Sequence, residues 1–158
     1  MKLKDEKARR KEVEMNIAFF IKPKNNVNYL YDDNTLRQGL EKMKNHGFTA
    51  VPVISRKGEY VGTISEGDFL WSLIDTTDDI HNYRIKNMEN IPIKAIMTAD
   101  RNPPVRITAS MEELLTKSMS QNFVPVVDDR GYFMGIITRK DIIGYFYDNM
   151  EEYTRKIV

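Results

Sequence analysis

The sequence contains no cysteine and only two histidines, His46 and His81, among its 158 residues. The absence of cysteine excludes a disulfide framework, thiolate metal sites and a cysteine nucleophile. Two separate histidines leave little material for a zinc or iron centre, so we expect no bound metal.

The sequence also lacks long apolar runs and a large excess of either charge. No stretch approaches the roughly 18 to 20 apolar residues that a membrane span needs, and the charged N-terminal stretch does not have the character of a signal peptide. The 24 Lys and Arg residues nearly balance 23 Asp and Glu, which leaves a formal charge of +1. Such a chain has no strong field for holding a nucleic-acid backbone. We therefore expect a cytoplasmic protein that binds neither a membrane nor nucleic acid.

What the sequence does contain is an internal repeat. The segment Val51–Ile54 recurs as Val124–Val127, and Gly58–Asp68 recurs as Gly131–Asp141. Both matches share an offset of about 73 positions, which drifts to about 75 upstream. The second copy is therefore about two residues shorter just before its Val-Pro-Val strand. Matched glycine, proline and aspartate residues in the same order predict a duplicated structural unit.

Each copy follows the same pattern of apolar residues. After a short extended segment, Val27–Tyr31 in the first copy, apolar residues recur at helical spacing from Leu36 in the first copy and from Met111 in the second. Ser110 and Glu113 form a capping-box signature at the start of the second of these helices. Two short β runs joined by a glycine turn follow, and then a second apolar helix. The pattern predicts β-α-β-β-α units of about 55 residues. A unit of this size is small for a core of its own, so we expect two copies packed sheet to sheet with pseudo-two-fold symmetry, in the α/β (α+β) class.

The predicted organisation has five parts. We expect a charged N-terminal helix over residues 1–16, a first unit over 17–75, a polar linker over 76–92, a second unit over 93–148 and a C-terminal tail over 149–158.

The segment Thr138–Asp141 has two interpretations. As structure, Thr138 caps a helix and Asp141 reaches back to it, as in a capping box. As a binding motif, the same helix start presents free N–H groups to an anion, Asp141 accepts both hydroxyls of a ribose, and Arg139 and Lys140 add positive charge.

The first copy of this motif, Ser65–Asp68, differs in charge. It keeps the hydroxyl and the carboxylate, but Glu66 and Gly67 replace the two basic residues. A phosphate near Glu66 is disfavoured by about 1 to 2 kcal/mol relative to one near a cation. We therefore expect the two copies to bind a phosphate-bearing ligand unequally.

These features resemble the cystathionine-β-synthase (CBS) domain family. The resemblance rests on the two apolar-Pro-Val segments, the two Gly-apolar-apolar-Ser/Thr-x-x-Asp segments, and an Ile-Met-Thr at Ile96–Thr98, and it covers about residues 17–148. It is closest to small stand-alone bacterial CBS-pair proteins. It implies a tandem pair that dimerises further and binds adenine nucleotides in clefts between its units.

The resemblance also implies two sets of site residues, because a nucleotide usually contacts the Ser/Thr-x-x-Asp end of one unit and the first strands of the other. The stronger site would consist of Asn26, Asn28, Phe48, Thr49, Ala50, Thr138, Arg139, Lys140 and Asp141. Phe48 and Ala50 can equally be core residues, and Asn26 a turn residue.

The weaker site would consist of Ser65, Asp68, Arg101, Pro103, Asn122 and Phe123. Phe123 stands where the first copy has the small Ala50 and can fill this pocket, whereas Arg101 can supply the missing cation. We expect this cleft to bind no nucleotide.

The leading functional hypothesis is a regulatory module that senses an adenine nucleotide and signals to an unknown protein partner. AMP, ADP, ATP or cyclic di-AMP would act as a ligand and not as a cofactor, and we expect a homodimer. The alternative is a non-catalytic dimeric scaffold with vestigial clefts. The sequence offers no catalytic set, since it has neither a credible Ser/His/Asp constellation nor a Walker sequence, so an enzyme is not expected.

Overall fold

The computed structural model describes residues 16–74 and 87–155, so the predicted N-terminal helix and most of the predicted linker lie outside the described residues. The elements along the chain are β1 (Lys22–Pro23), β2 (Leu30–Tyr31), α1 (Leu36–His46), β3 (Ala50–Ile54), β4 (Tyr60–Ser65), α2 (Glu66–Ile74), β5 (Val105–Arg106), α3 (Met111–Ser120), β6 (Phe123–Val127), β7 (Phe133–Thr138), α4 (Arg139–Asp148) and α5 (Met150–Thr154). Short 3₁₀ turns cover Ile17–Phe20, Lys24–Asn26, Asn87–Glu89 and Ile93–Ala95.

The chain divides into two compact units. Among the described residues, the first-repeat unit holds 28–74, 87–103 and 131–133, and the second-repeat unit holds 16–27, 104–130 and 134–155. Each unit combines a small β-sheet with helices. The predicted α+β class is therefore confirmed.

The first-repeat unit is built on the sheet β2-β3-β4. Strands β2 and β3 are parallel, so they need a crossover connection, and α1 provides it. Helix α1 begins at a reciprocal capping box between Thr35 and Gln38 and ends at Gly47, whose φ of 67° is left-handed. The helices cover one core, formed by Leu30, Leu36, Met43, Val51, Val53, Ile64, Phe69 and Ile93.

The second-repeat unit repeats this plan with one additional strand, in the sheet order β1-β7-β6-β5. Helix α3 begins at Ser110, whose side chain accepts a hydrogen bond from the N–H of Glu113, as the sequence predicts. The core of this unit consists of Ile17, Phe20, Val105, Met111, Leu114, Val124, Val126, Ile137 and Ile142.

The additional strand, β1, lies within the predicted first unit (17–75) but pairs antiparallel with β7 of the second-repeat unit, with Lys22 opposite Ile136 and Pro23 opposite Gly135. Gly135 permits this pairing. Its φ is 155°, and a Cβ atom added there would lie 2.0 Å from the carbonyl oxygen of Lys22. The close approach of β1 therefore requires a residue without a side chain at position 135.

Candidate functional site

The motif of the second-repeat unit lies where β7 ends and α4 begins. Thr138 is the N-cap of α4, and its hydroxyl oxygen accepts a hydrogen bond from the N–H of Asp141 at 3.1 Å. The same hydroxyl donates to the carboxylate of Asp141. The capping interpretation is therefore confirmed. It leaves the carboxylate accessible, because 34% of the Asp141 side chain is exposed.

A cation that the sequence did not indicate stands beside this carboxylate. The Nζ atom of Lys22 lies 3.3 Å from Oδ2 of Asp141, and half of the Lys22 side chain is exposed. The pairing of β1 with β7 places it there, since Lys22 is opposite Ile136, two residues before Thr138. An ion pair this exposed contributes little to stability, so a ligand can displace or share it at small cost.

The two predicted basic residues have different surroundings. The Nε–H of Arg139 donates to the carbonyl oxygens of Ser118 and Gln121, at 2.8 and 3.2 Å, at the C-terminal end of α3. A cation there is favoured by the carbonyl end of the helix. Lys140 is exposed in the first turn of α4. Arg139 is therefore anchored to its own unit, whereas Lys140 extends into solvent.

A shallow depression of about 630 Å³ adjoins these two residues and is lined by Asn122, Arg139, Lys140, Ile143, Gly144 and Tyr147. The N–H of Arg139 donates to the carbonyl oxygen of Asn122 at 2.9 Å. Within this unit the structure thus brings Asn122, predicted for the weaker site, against Arg139, predicted for the stronger one.

In the equivalent motif of the first-repeat unit, the aspartate carboxylate is buried and fully hydrogen-bonded. The side chain of Asp68 is 1% exposed. Its Oδ2 accepts from the N–H and the hydroxyl of Ser65, at 2.7 and 3.1 Å. Its Oδ1 accepts from the hydroxyl of Thr98 at 2.6 Å and from Nη2 of Arg101 at 3.0 Å. Four donors therefore surround a carboxylate that the sequence indicated as a ribose acceptor.

The remaining residues of the stronger predicted site are divided between the two units. In the first-repeat unit, Ala50 pairs with Ser65 between β3 and β4, and the carbonyl oxygen of Thr49 accepts from the N–H of Glu66 at 2.9 Å. Phe48 is 38% exposed and stacks on the ring of His46, so the alternative of a core role for Phe48 is wrong.

The other predicted residues occupy ordinary positions. Asn28 is half-buried before β2, and Pro103 is half-buried after Arg101. In the second-repeat unit, Asn26 ends an exposed 3₁₀ turn, which confirms its interpretation as a turn residue. Phe123 is 8% exposed in β6. Since both predicted sites draw residues from both units, their assembly stays a prediction.

The described residues contain neither a candidate membrane span nor a candidate metal site. No helix within 16–74 and 87–155 combines the length and apolar character that a membrane crossing requires. Within the same ranges, no group of three or more His, Asp or Glu side chains is placed to hold a metal ion.

The family model of the CBS domain matches twice, over residues 19–75 and 93–148. The chain belongs to the CBS domain family. The two matches correspond to the two copies of the internal repeat, so the predicted resemblance is confirmed.

Solved structures with this fold include proteins with bound nucleotides. CbpB in complex with c-di-AMP has a TM-score of 0.79 and 24% identity, covering 94% of this chain and 97% of that chain. CBSX2 in complex with AMP has a TM-score of 0.67 and 22% identity, covering 85% and 97%. A CBS domain protein from Streptococcus pneumoniae TIGR4 has a TM-score of 0.75 and 27% identity, covering 84% and 87%.

Curated relatives differ in how much of their length this chain spans. An uncharacterized protein of Methanocaldococcus jannaschii is 23% identical over 140 residues, which are 72% of this chain and 82% of that protein. The inosine-5'-monophosphate dehydrogenase of Chlorobaculum parvum is 30% identical over 116 residues, which are 72% of this chain but 21% of the enzyme.

Proposed function

We propose that this protein is a non-catalytic regulatory module that binds an adenine nucleotide at the Thr138–Asp141 motif and signals its occupancy to a partner protein. The observation that carries the proposal is the accessible Asp141 carboxylate at the start of α4, with a lysine amine 3.3 Å away. The two nucleotide-bound structures of the same fold support the choice of ligand, since they contain c-di-AMP and AMP.

The chemistry of the motif suits a ribose phosphate. A carboxylate accepts hydrogen bonds from both hydroxyls of a ribose, and Asp141 has the exposure to do so. Two N–H groups in the first turn of the ten-residue α4, those of Arg139 and Asp141, already donate to Asn122 and Thr138, so it is the helix dipole that favours an anion there. Lys22 and Lys140 supply exposed positive charge for the phosphate, while Arg139 holds α4 against the end of α3. Asn26, Asn28, Phe48, Thr49 and Ala50 are proposed to complete the stronger site.

We propose AMP, ADP, ATP or cyclic di-AMP as ligand, and a thermal-shift screen with these four compounds tests the proposal. A ligand at a hundredfold excess over its Kd stabilises the fold by about 2.7 kcal/mol, which corresponds to a rise in Tm of about 5 to 10 °C. Asp141→Asn should abolish the rise, because it removes the charge that the ribose hydroxyls contact. The matched control, Asp129→Asn, changes an exposed aspartate in a turn and should keep the rise.

The alternative is a scaffold with vestigial clefts, and the closed carboxylate of Asp68 favours it for the first-repeat motif. The screen separates the two functions. If none of the four compounds changes Tm at millimolar concentration, the nucleotide proposal fails and the scaffold is supported.

We also propose that the protein forms a homodimer in the cytoplasm, through the groove between α3 and α4. The groove has a volume of about 480 Å³ and a mostly apolar lining. Met119, Ile143 and Tyr147 are 84%, 59% and 70% exposed on it, which is unusual for large apolar side chains in a monomer. Light scattering should give twice the chain mass for the natural protein and the chain mass for Ile143→Glu. A natural protein of single chain mass would contradict the dimer.

A further inference from the structure

The first-repeat motif contains a carboxylate whose hydrogen-bonding capacity is used up inside its own unit. An ionised carboxylate offers about four acceptor positions. In Asp68, Ser65 occupies two of these positions through Oδ2, and Thr98 and Arg101 occupy two through Oδ1. A ribose that used Asp68 would have to displace at least two of these donors from a side chain that is 1% exposed.

The loop that carries Arg101 is fixed by backbone geometry and by a half-buried tyrosine. Asp100 and Asn102, on either side of Arg101, have φ values of 55° and 51°, a left-handed conformation that is uncommon outside glycine. The hydroxyl of Tyr60 donates to the carbonyl oxygen of Asn102 at 2.8 Å and lies 2.9 Å from Oγ1 of Thr63. Burial raises the pKa of Tyr60 to about 12, so this donor keeps its proton at neutral pH. The loop is thus held with Arg101 against Asp68.

Arg101 itself is committed to this contact. Its Nη2 also approaches Oγ1 of Thr98 at 3.1 Å, so the arginine, the threonine and Asp68 form a closed triangle of hydrogen bonds. About a third of the Arg101 side chain is exposed, whereas the carboxylate beneath it is not. The guanidinium therefore covers the carboxylate from the solvent side.

We propose that Arg101 determines which motif binds nucleotide, by sealing Asp68 inside the first-repeat unit and leaving Thr138–Asp141 as the ribose acceptor. The part of this inference that concerns nucleotide binding rests on the proposed function. It assigns Arg101 a role opposite to the one suggested by the sequence, since the arginine neutralises the carboxylate instead of supplying a cation for a phosphate.

The claim that Arg101 seals Asp68 is tested without any nucleotide. The test is a double-mutant cycle between Asp68→Asn and Arg101→Ala, with Tm as the measured quantity. Each single variant should lower Tm by about 5 °C or more, and the double variant should lower it no further than the worse single variant, because the two residues act as one contact. A matched cycle between Asp141→Asn and Lys22→Ala should show small, additive changes. Additive losses at Asp68 and Arg101 would overturn the proposal.

The claim that Arg101 restricts nucleotide binding to one motif is tested by calorimetric titration of the full chain with AMP. The natural protein should bind one AMP per chain, and Arg101→Ala should raise the number to two, because Asp68 then becomes accessible. If Arg101→Ala fails to fold, Arg101→Gln, which keeps a donor but loses the charge, replaces it. Two AMP per natural chain, or one per chain in the folded variant, would overturn the role of Arg101. If the natural chain binds no AMP, the proposed ligand fails, and the Tm cycle still decides whether Arg101 seals Asp68.

Discussion

The two copies of one motif have become two different kinds of site. In both, a hydroxyl residue and an aspartate three positions later start a helix, and in both the hydroxyl caps the aspartate's own N–H. The surroundings of the carboxylates differ. The 1% exposed carboxylate of Asp68 accepts from Ser65, Thr98 and Arg101, whereas the one-third exposed carboxylate of Asp141 contacts Thr138 and Lys22. The comparison shows that the motif fixes a helix start, and that neighbouring residues decide whether its carboxylate is available to a ligand.

The largest expected effect compares removal of the two carboxylates. Asp68→Ala should lower the free energy of unfolding by about 3 kcal/mol, because it breaks a buried ion pair. Asp141→Ala should lower it by about 1 kcal/mol or less, because its partner is half exposed. Urea unfolding followed by circular dichroism measures both. Equal losses would mean that the two motifs have the same structural role.

The second prediction compares the equivalent glycines of β4 and β7. A Cβ atom at Gly135 meets the backbone oxygen of Lys22, whereas at Gly62 it meets only the flexible end of Met97. Gly135→Ala should therefore cost about 2 kcal/mol of stability, as overpacking of a fixed backbone does, and Gly62→Ala clearly less. Because β1 also carries Lys22, Gly135→Ala should weaken AMP binding as well. A Gly135→Ala variant as stable as Gly62→Ala would contradict the close approach of β1.

The third prediction concerns Lys22, the half-exposed cation beside the carboxylate of the second-repeat motif. Lys22→Ala should weaken AMP binding by about fivefold, corresponding to about 1 kcal/mol from an exposed charge. The matched control is Lys57→Ala, which removes the same charge from an exposed turn of the first-repeat unit. Titration at two salt concentrations should show the difference shrinking at the higher one. Equal affinities for both variants would exclude Lys22 from the site.

The smallest expected difference is between the N-caps of the first helices of the two repeats. Helix α1 has a reciprocal capping box at Thr35, whereas at the start of α3 Ser110 accepts from the N–H of Glu113. Thr35→Ala should cost about 1 to 2 kcal/mol and Ser110→Ala about 1 kcal/mol or less. Chemical denaturation resolves this difference if each variant is measured against the natural protein. A larger loss for Ser110→Ala would reverse the ranking of the two caps.

Much of this fold could be predicted from local sequence. The repeat, the capping serine at Ser110 and the start of α4 at Thr138 all follow from short-range patterns, and the structure has each of them. Strands β3 and β6 were predicted to within one residue, because Val-Pro-Val runs are strongly apolar. The first extended segment was predicted too long, since only Leu30–Tyr31 is a strand.

The features that distinguish the two motifs could not be predicted in this way. Lys22 reaches Asp141 through a strand of two residues, too short to show any periodicity, that pairs with a strand more than a hundred positions later. Arg101 reaches Asp68 from a loop in which Asp100 and Asn102 adopt left-handed φ values without being glycine. Both contacts depend on long-range packing, and the family resemblance implied only that Arg101 belongs to the same site as Asp68.

The most direct test of the inequality between the motifs is one calorimetric comparison with AMP as the probe. Asp68→Asn and Asp141→Asn make the same isosteric change at equivalent positions, so they differ only in which motif loses its charge. We predict that Asp68→Asn, measured at a temperature where it is folded, binds AMP with the affinity of the natural protein, while Asp141→Asn loses at least tenfold. A loss confined to Asp68→Asn, or equal losses in both variants, would contradict the account.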